Sequence, residues 1–80
     1  MLKLNYDKKN DILYLSIGDP KPSYGEEDVS GIVIRRDMAS NDITGITIFD
    51  FMKRITEKTI DSKDLPIQVD FQEISNIILQ

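Results

Sequence analysis

The strongest constraint on this chain is a pair of period-two runs joined by a short polar segment. Leu2, Leu4 and Tyr6 alternate with Lys3, Asn5 and Asp7, while Leu13, Leu15 and Ile17 alternate with Ile12, Tyr14 and Ser16. Successive side chains of a strand point to opposite faces, so each run reads as a strand with one apolar face. Between them Asp7-Lys8-Lys9-Asn10-Asp11 holds turn formers and no apolar residue, which predicts a β-hairpin.

The pattern then repeats once. Gly18 to Asp28, GDPKPSYGEED, has no periodicity and reads as an exposed loop. Val29 to Arg36 is a third strand, with Ile32 and Ile34 on one face and Val29 and Val33 on the other. Asp37 to Asp42 forms a second turn. Ile43 to Phe49 is a fourth strand, with Ile46 and Ile48 opposite Ile43, Thr47 and Phe49. Gly31 and Gly45 sit inside these strands, where glycine marks a bulge or a close approach.

After Asp50 the period changes. Phe51, Met52, Ile55 and Thr59 suit a short helix with Asp50 as N-cap, and Ser62-Lys63-Asp64-Leu65-Pro66 breaks it. Asp70-Phe71-Gln72-Glu73 matches a capping box and opens an amphipathic helix with the stripe Phe71, Ile74, Ile77 and Ile78. The expected fold is α+β: a four-stranded antiparallel sheet of two hairpins with one or two C-terminal helices packed on it. Residues 1–80 are expected to form a single small domain.

Size and composition narrow the functions. A chain of this mass exposes roughly 13,000 Å² unfolded and roughly 5,000 Å² folded, which is near the lower end for a self-sufficient core. There is no Cys and no His. Disulfides, thiolate nucleophiles, zinc sites of the usual ligands and a histidine base are therefore excluded. Fourteen acids against ten bases give a net charge of −4, which argues against phosphate-backbone binding as the main task, although a local basic patch is compatible with it. No apolar run is long enough to span a bilayer, and the N-terminus lacks the features of a signal peptide, so a cytoplasmic protein is expected.

The motif Tyr6-Asp7-x3-Asp11-x-Leu13-Tyr14 resembles the opening of a family of small prokaryotic domains known as domain of unknown function 2283. The run Gly31-Ile32-Val33-Ile34, Asp37 at a turn, and Gly45-Ile46-Thr47-Ile48 extend the likeness over about residues 4–50, leaving about 51–80 as a helical C-terminal extension. Ala39 to Asp42 lacks the Gly common in the family's second turn, and Thr47 stands where members tend to carry Glu. The resemblance implies a compact β-rich domain with no assigned activity. It also implies small toxin-like neighbours as partners, hence an antitoxin-type role.

Four groups of residues are candidates for function. Asp7, Asp11, Asp37 and Asp42 cluster in the two turns, where carboxylates either take a divalent cation or cap the turns. A metal-dependent enzyme built on them is disfavoured, since the spacing is not that of a calcium loop and so short a chain has little room for a cleft. No cofactor is expected. Tyr6 and Tyr14 are candidates for a cross-strand aromatic pair or for base stacking, and the charge balance favours the first. Of the adjacent Arg35 and Arg36, only one can join any patch with Lys53 and Arg54. Finally, the strands carry apolar residues on both faces, more than helices on one face can cover. Phe49, Phe51, Met52, Arg54, Phe71 and Ile78 are the candidate surface for a homodimer or a small partner protein. A protein-binding module is the favoured reading.

Overall fold

The computed structural model describes residues 2–27, 31–61, 63 and 65–79. Five strands, β1 (Leu2–Asp7), β2 (Ile12–Ile17), β3 (Ser23–Glu27), β4 (Ile32–Asp37) and β5 (Ile43–Phe49), precede two helices, α1 (Phe51–Glu57) and α2 (Phe71–Ile78). The chain divides into two compact units, Met1–Asp50 and Phe51–Gln80. The division falls where the apolar period changes.

The first unit is one antiparallel sheet in the order β1-β2-β5-β4-β3. The architecture is α+β, but with five strands rather than the four expected. The added strand, Ser23–Glu27, lies inside the segment read as a loop. It has no apolar alternation because it is an edge strand exposed at four of its five residues, and pairing with β4 alone makes it a strand. Its charges also suit an edge, where they discourage pairing with another chain. Val29 lies outside the described residues, and β4 begins at Ile32. Gly31 precedes the strand rather than sitting in it, at a φ of 81° that a side chain would disfavour.

Register explains the core of the sheet. Tyr6, Leu13, Ile48 and Ile32 stand in one row across four strands, and Leu4, Leu15, Ile46 and Ile34 stand in the next. Leu13, Leu15, Ile32, Ile46 and Ile48 are each at most 2% exposed. Burying a side chain of this kind is worth about 1.5–3 kcal/mol, so these five anchor the unit. Between Arg35 and Arg36 the register shifts: Arg35 pairs with Gly45 but Arg36 with Ile43, leaving Thr44 as an extra residue in β5. The shift brings Ile43 to the face of Ile46 and Ile48, not to that of Thr47 and Phe49 as simple alternation predicts. Gly45 serves a close approach, because a Cβ there would lie 2.6 Å from the Leu15 carbonyl oxygen.

The second unit holds two short helices and irregular chain between them. Asp50 does not cap α1 in the expected way, since its φ of 55° is left-handed rather than extended. The helix stops at Glu57, short of Thr59. Lys58 takes a left-handed φ of 57°, its N–H donates to Ile55 O, and the Thr59 N–H donates to Arg54 O. That is a Schellman ending with Lys in the place usually taken by Gly. Asp70 does cap α2, accepting from the N–H groups of Gln72 at 3.0 Å and Glu73 at 3.2 Å. Phe51 and Phe71 meet edge to face, with centroids 5.8 Å apart, and both are buried with Leu65, Val69 and Ile74. Ile77 departs from the expected stripe and is exposed. Among the described residues, no helix is long and apolar enough to cross a membrane.

Candidate functional site

The motif residues Tyr6, Asp7, Asp11, Leu13 and Tyr14 converge on the β1–β2 turn. The Tyr6 hydroxyl donates to Asp11 Oδ1 at 2.7 Å, tying the end of β1 to the start of β2. Burial first, then this bond and the carboxylates of Asp11 and Asp7, push the Tyr6 hydroxyl up to about 12. Asp11 holds a left-handed φ of 56°, a conformation that Asp tolerates in turns. Asp7 accepts from both the N–H and the side-chain amide of Asn10, and these bonds hold its carboxyl below the usual range. Leu13 pairs with Tyr6 in the core row. Tyr14 instead pairs with Asn5 and Thr47, on the opposite face. The two tyrosines are therefore not a cross-strand pair, because eight residues separate them around a turn whose register sets Tyr6 against Leu13.

The second turn is built in the same way. Asp37 Oδ1 accepts from the Ala39 N–H at 2.8 Å. That bond, helped by the Ser40 N–H and by Lys21 nearby, lowers its pKa. The Asp37 N–H donates to Asp42 O, and Asn41 at a φ of 67° receives the Tyr24 hydroxyl on its side-chain oxygen. The four acids do not come together. Ile12 pairs with Phe49 while Ser16 pairs with Gly45, so the turns lie at opposite ends of β5, about 20 Å apart for seven residues. No group of three metal-ligating side chains occurs among the described residues.

The candidate interface residues are also dispersed. Phe51 and Phe71 form the interior of the helical unit and have no surface to offer. Met52, Arg54 and Ile78 are half-buried in its helices. Phe49 alone lies in the sheet, where it is 43% exposed. Arg35 and Arg36 point to opposite faces as alternation requires. Arg36 reaches Glu26 at 3.5 Å and the carbonyl oxygen of Asn41.

The sheet's second face has an order that no single strand reveals. Three rows cross it: Lys3, Ser16, Gly45 and Arg35; then Asn5, Tyr14, Thr47, Val33 and Glu27; then Asp7, Ile12 and Phe49. Tyr14 is 37% exposed and Thr47 only 8%, enclosed by its neighbours. The face therefore runs from a basic end at Lys3 and Arg35, through a mixed row that holds Tyr14 and Val33, to an end where Asp7 stands beside the apolar Ile12 and Phe49. Ile12, Tyr14 and Val33 are its unanticipated members, and pairing register was the signal that would have found them.

The sequence profile of the family described as Protein of unknown function (DUF2283) matches residues 3–51, more than half of the chain. No curated protein and no solved structure matches it.

Proposed function

The chain belongs to the DUF2283 family, whose description assigns no activity, and from its own surface we propose that it is a protein-binding module that self-associates through the second face of its sheet. The observation that carries this reading is the exposed aromatic pair Tyr14 and Phe49, set beside Ile12 and Val33 on one face. Faces of this kind are covered in stable sandwiches, where two sheets pack about 10 Å apart. A second copy fits the charge pattern. A two-fold axis along the Tyr14–Thr47–Val33 row sets the Lys3 end of β1 opposite the partner's Asp7, and by symmetry the reverse. Asp7 is ionised for that role, since its bonds to Asn10 favour the charged form. On this reading the chain is not an enzyme, and its turn carboxylates hold the hairpins.

Sedimentation equilibrium over a range of concentrations tests the proposal. The expected mass is twice the 9.2 kDa of one chain, falling to a single chain in Tyr14→Glu and Phe49→Asp variants. A wild-type protein that stays at one chain mass throughout overturns it.

A further inference from the structure

At the basic end of that face lies an open cavity of about 180 Å³, bordered by the Gly18–Lys21 segment. It is more than ten times the space that one water needs, about 10–15 Å³, and below the ~300 Å³ at which drug-sized ligands begin. Its lining is mixed, with the apolar Ile17 and Pro20 beside polar side chains. Lys3, Lys21 and Arg35 reach it, with the hydroxyls of Ser16, Ser23 and Thr44 and a single carboxylate, Asp19.

We propose that this cavity binds a small tetrahedral oxyanion: a phosphate group, either free or as a small soluble phosphomonoester. The register builds it. Lys3 on β1 and Arg35 on β4 stand in one transverse row, three strand spacings or about 14 Å apart, and between them come only Ser16 and Gly45. Two long cationic side chains from the two ends of that row thus line one cavity. Thr44 joins the same wall because the register shift makes it the extra residue in β5.

The donors available also favour an anion. Ser23 donates to Lys21 O at 2.9 Å, so the 2.8 Å contact between Ser23 and Thr44 takes its proton from Thr44. Ser16, by contrast, has no hydrogen-bond partner for its hydroxyl among the described residues. Lys21 is drawn towards Asp37, whereas Lys3 and Arg35 make no ion pair among the described residues. Two cations without an ion pair and one hydroxyl without a partner among the described residues, with a Gly18 turn at a φ of 69°, thus line a space large enough for a phosphate group. Guanidinium and ammonium groups together are the usual recognition chemistry for phosphate oxygens. The overall charge of −4 does not oppose this, because the anion meets a local field of three cations against Asp19 in the lining and Asp37 beside Lys21.

The test is an NMR titration of the full chain with inorganic phosphate at fixed ionic strength, with ribose 5-phosphate as the monoester arm and sodium chloride as the control. Saturable shifts are expected at the Gly18, Asp19 and Thr44 amides, and the tighter of the two phosphates identifies the form bound. Lys3→Gln and Arg35→Gln each weaken binding roughly tenfold, as loss of one charge-assisted bond implies. Arg35→Lys falls between, and Lys9→Gln, in the β1–β2 turn, has no effect. Both cations are exposed, so the dispersion of the variant spectra confirms the fold. Running the titration on Tyr14→Glu as well separates this site from self-association. Absence of saturation, equal shifts with chloride, or unchanged affinity in the Lys3→Gln/Arg35→Gln double variant overturns the proposal.

Discussion

Among the described residues, the sheet unit and the helical unit each hold five buried large apolar side chains, yet they are held in different ways. In the sheet, Leu13, Leu15, Ile32, Ile46 and Ile48 sit on three adjacent strands that a continuous backbone ladder already fixes. Hydrogen-bonded turns at Asp7–Asp11 and Asp37–Asp42 add further constraint. In the helical unit, Phe51, Leu65, Val69, Phe71 and Ile74 are spread over two helices of seven and eight residues and the irregular chain between them. Helices this short are not stable alone, so side-chain packing and caps must supply the order. The difference teaches where each unit is vulnerable: a lattice in one, a few keystone contacts in the other. The family match at residues 3–51 coincides with the lattice.

The sharpest way to break this contrast is to remove a keystone. Phe51 is fully buried and makes the edge-to-face contact with Phe71. Phe51→Ala should cost about 3–5 kcal/mol, as for other buried aromatic truncations. Total stability for a chain this size is about 4–12 kcal/mol, so much of the margin disappears. Hydrogen exchange of the α1 and α2 amides should accelerate steeply. Protection that survives unchanged would show that α1 and α2 do not depend on this contact.

A smaller effect is expected where the lattice itself is overfilled. At Gly45 a methyl group would meet the Leu15 carbonyl oxygen at 2.6 Å, and that neighbour is backbone, with no rotamer to relieve it. Gly45→Ala should therefore force β2 and β5 apart locally and cost about 1–3 kcal/mol, read as a lowered denaturation midpoint. The ladder on either side should hold, so exchange should quicken near Ser16 and Gly45 more than at Leu13 and Ile48. Uniform loss of protection across the sheet would contradict the picture of a redundant lattice.

These particular residues also show what could be read without coordinates. Leu13, Leu15, Ile46 and Ile48 were legible because burial on one face leaves a period of two. Asp70 was legible because an N-cap is a local bond. Strand β3 was not, since Ser23–Glu27 has no apolar signature and owes its conformation to β4. Asp50 misled for the opposite reason: its residue type suits a cap, but its backbone is left-handed. The separation of the acidic turns and the meeting of Lys3, Ser16 and Arg35 depend on which strands pair. That is a non-local choice, made between residues more than ten apart in the chain.

The smallest effect tests how firmly the lattice is tied at its turns, and pH reads it. Tyr6 titrates at about 12 in the fold against 10.0 as a free side chain. Its neutral form is the one favoured on folding, so its contribution is fully present below pH 10 and is lost as pH rises through 12. Asp7 and Asp37 behave in the opposite sense. Their lowered values place a contribution above the ordinary carboxyl pKa of 3.8, lost as pH falls through the folded values. The sheet should thus weaken at both extremes for separate, named reasons. Tyr6→Phe removes the hydroxyl that bonds to Asp11, and should abolish the alkaline loss while leaving the acid limb intact. Asp37→Asn, which removes the titrating carboxyl at the other turn, should shrink only the acid limb. Tyrosinate absorbance offers an independent reading, because Tyr6 should ionise at about 12 and its signal is the one that Tyr6→Phe removes. A Tyr6 that ionises at its ordinary value of 10.0 would mean that the Tyr6–Asp11 bond does not persist in solution, and that the β1–β2 turn is held by its backbone and Asp7 alone.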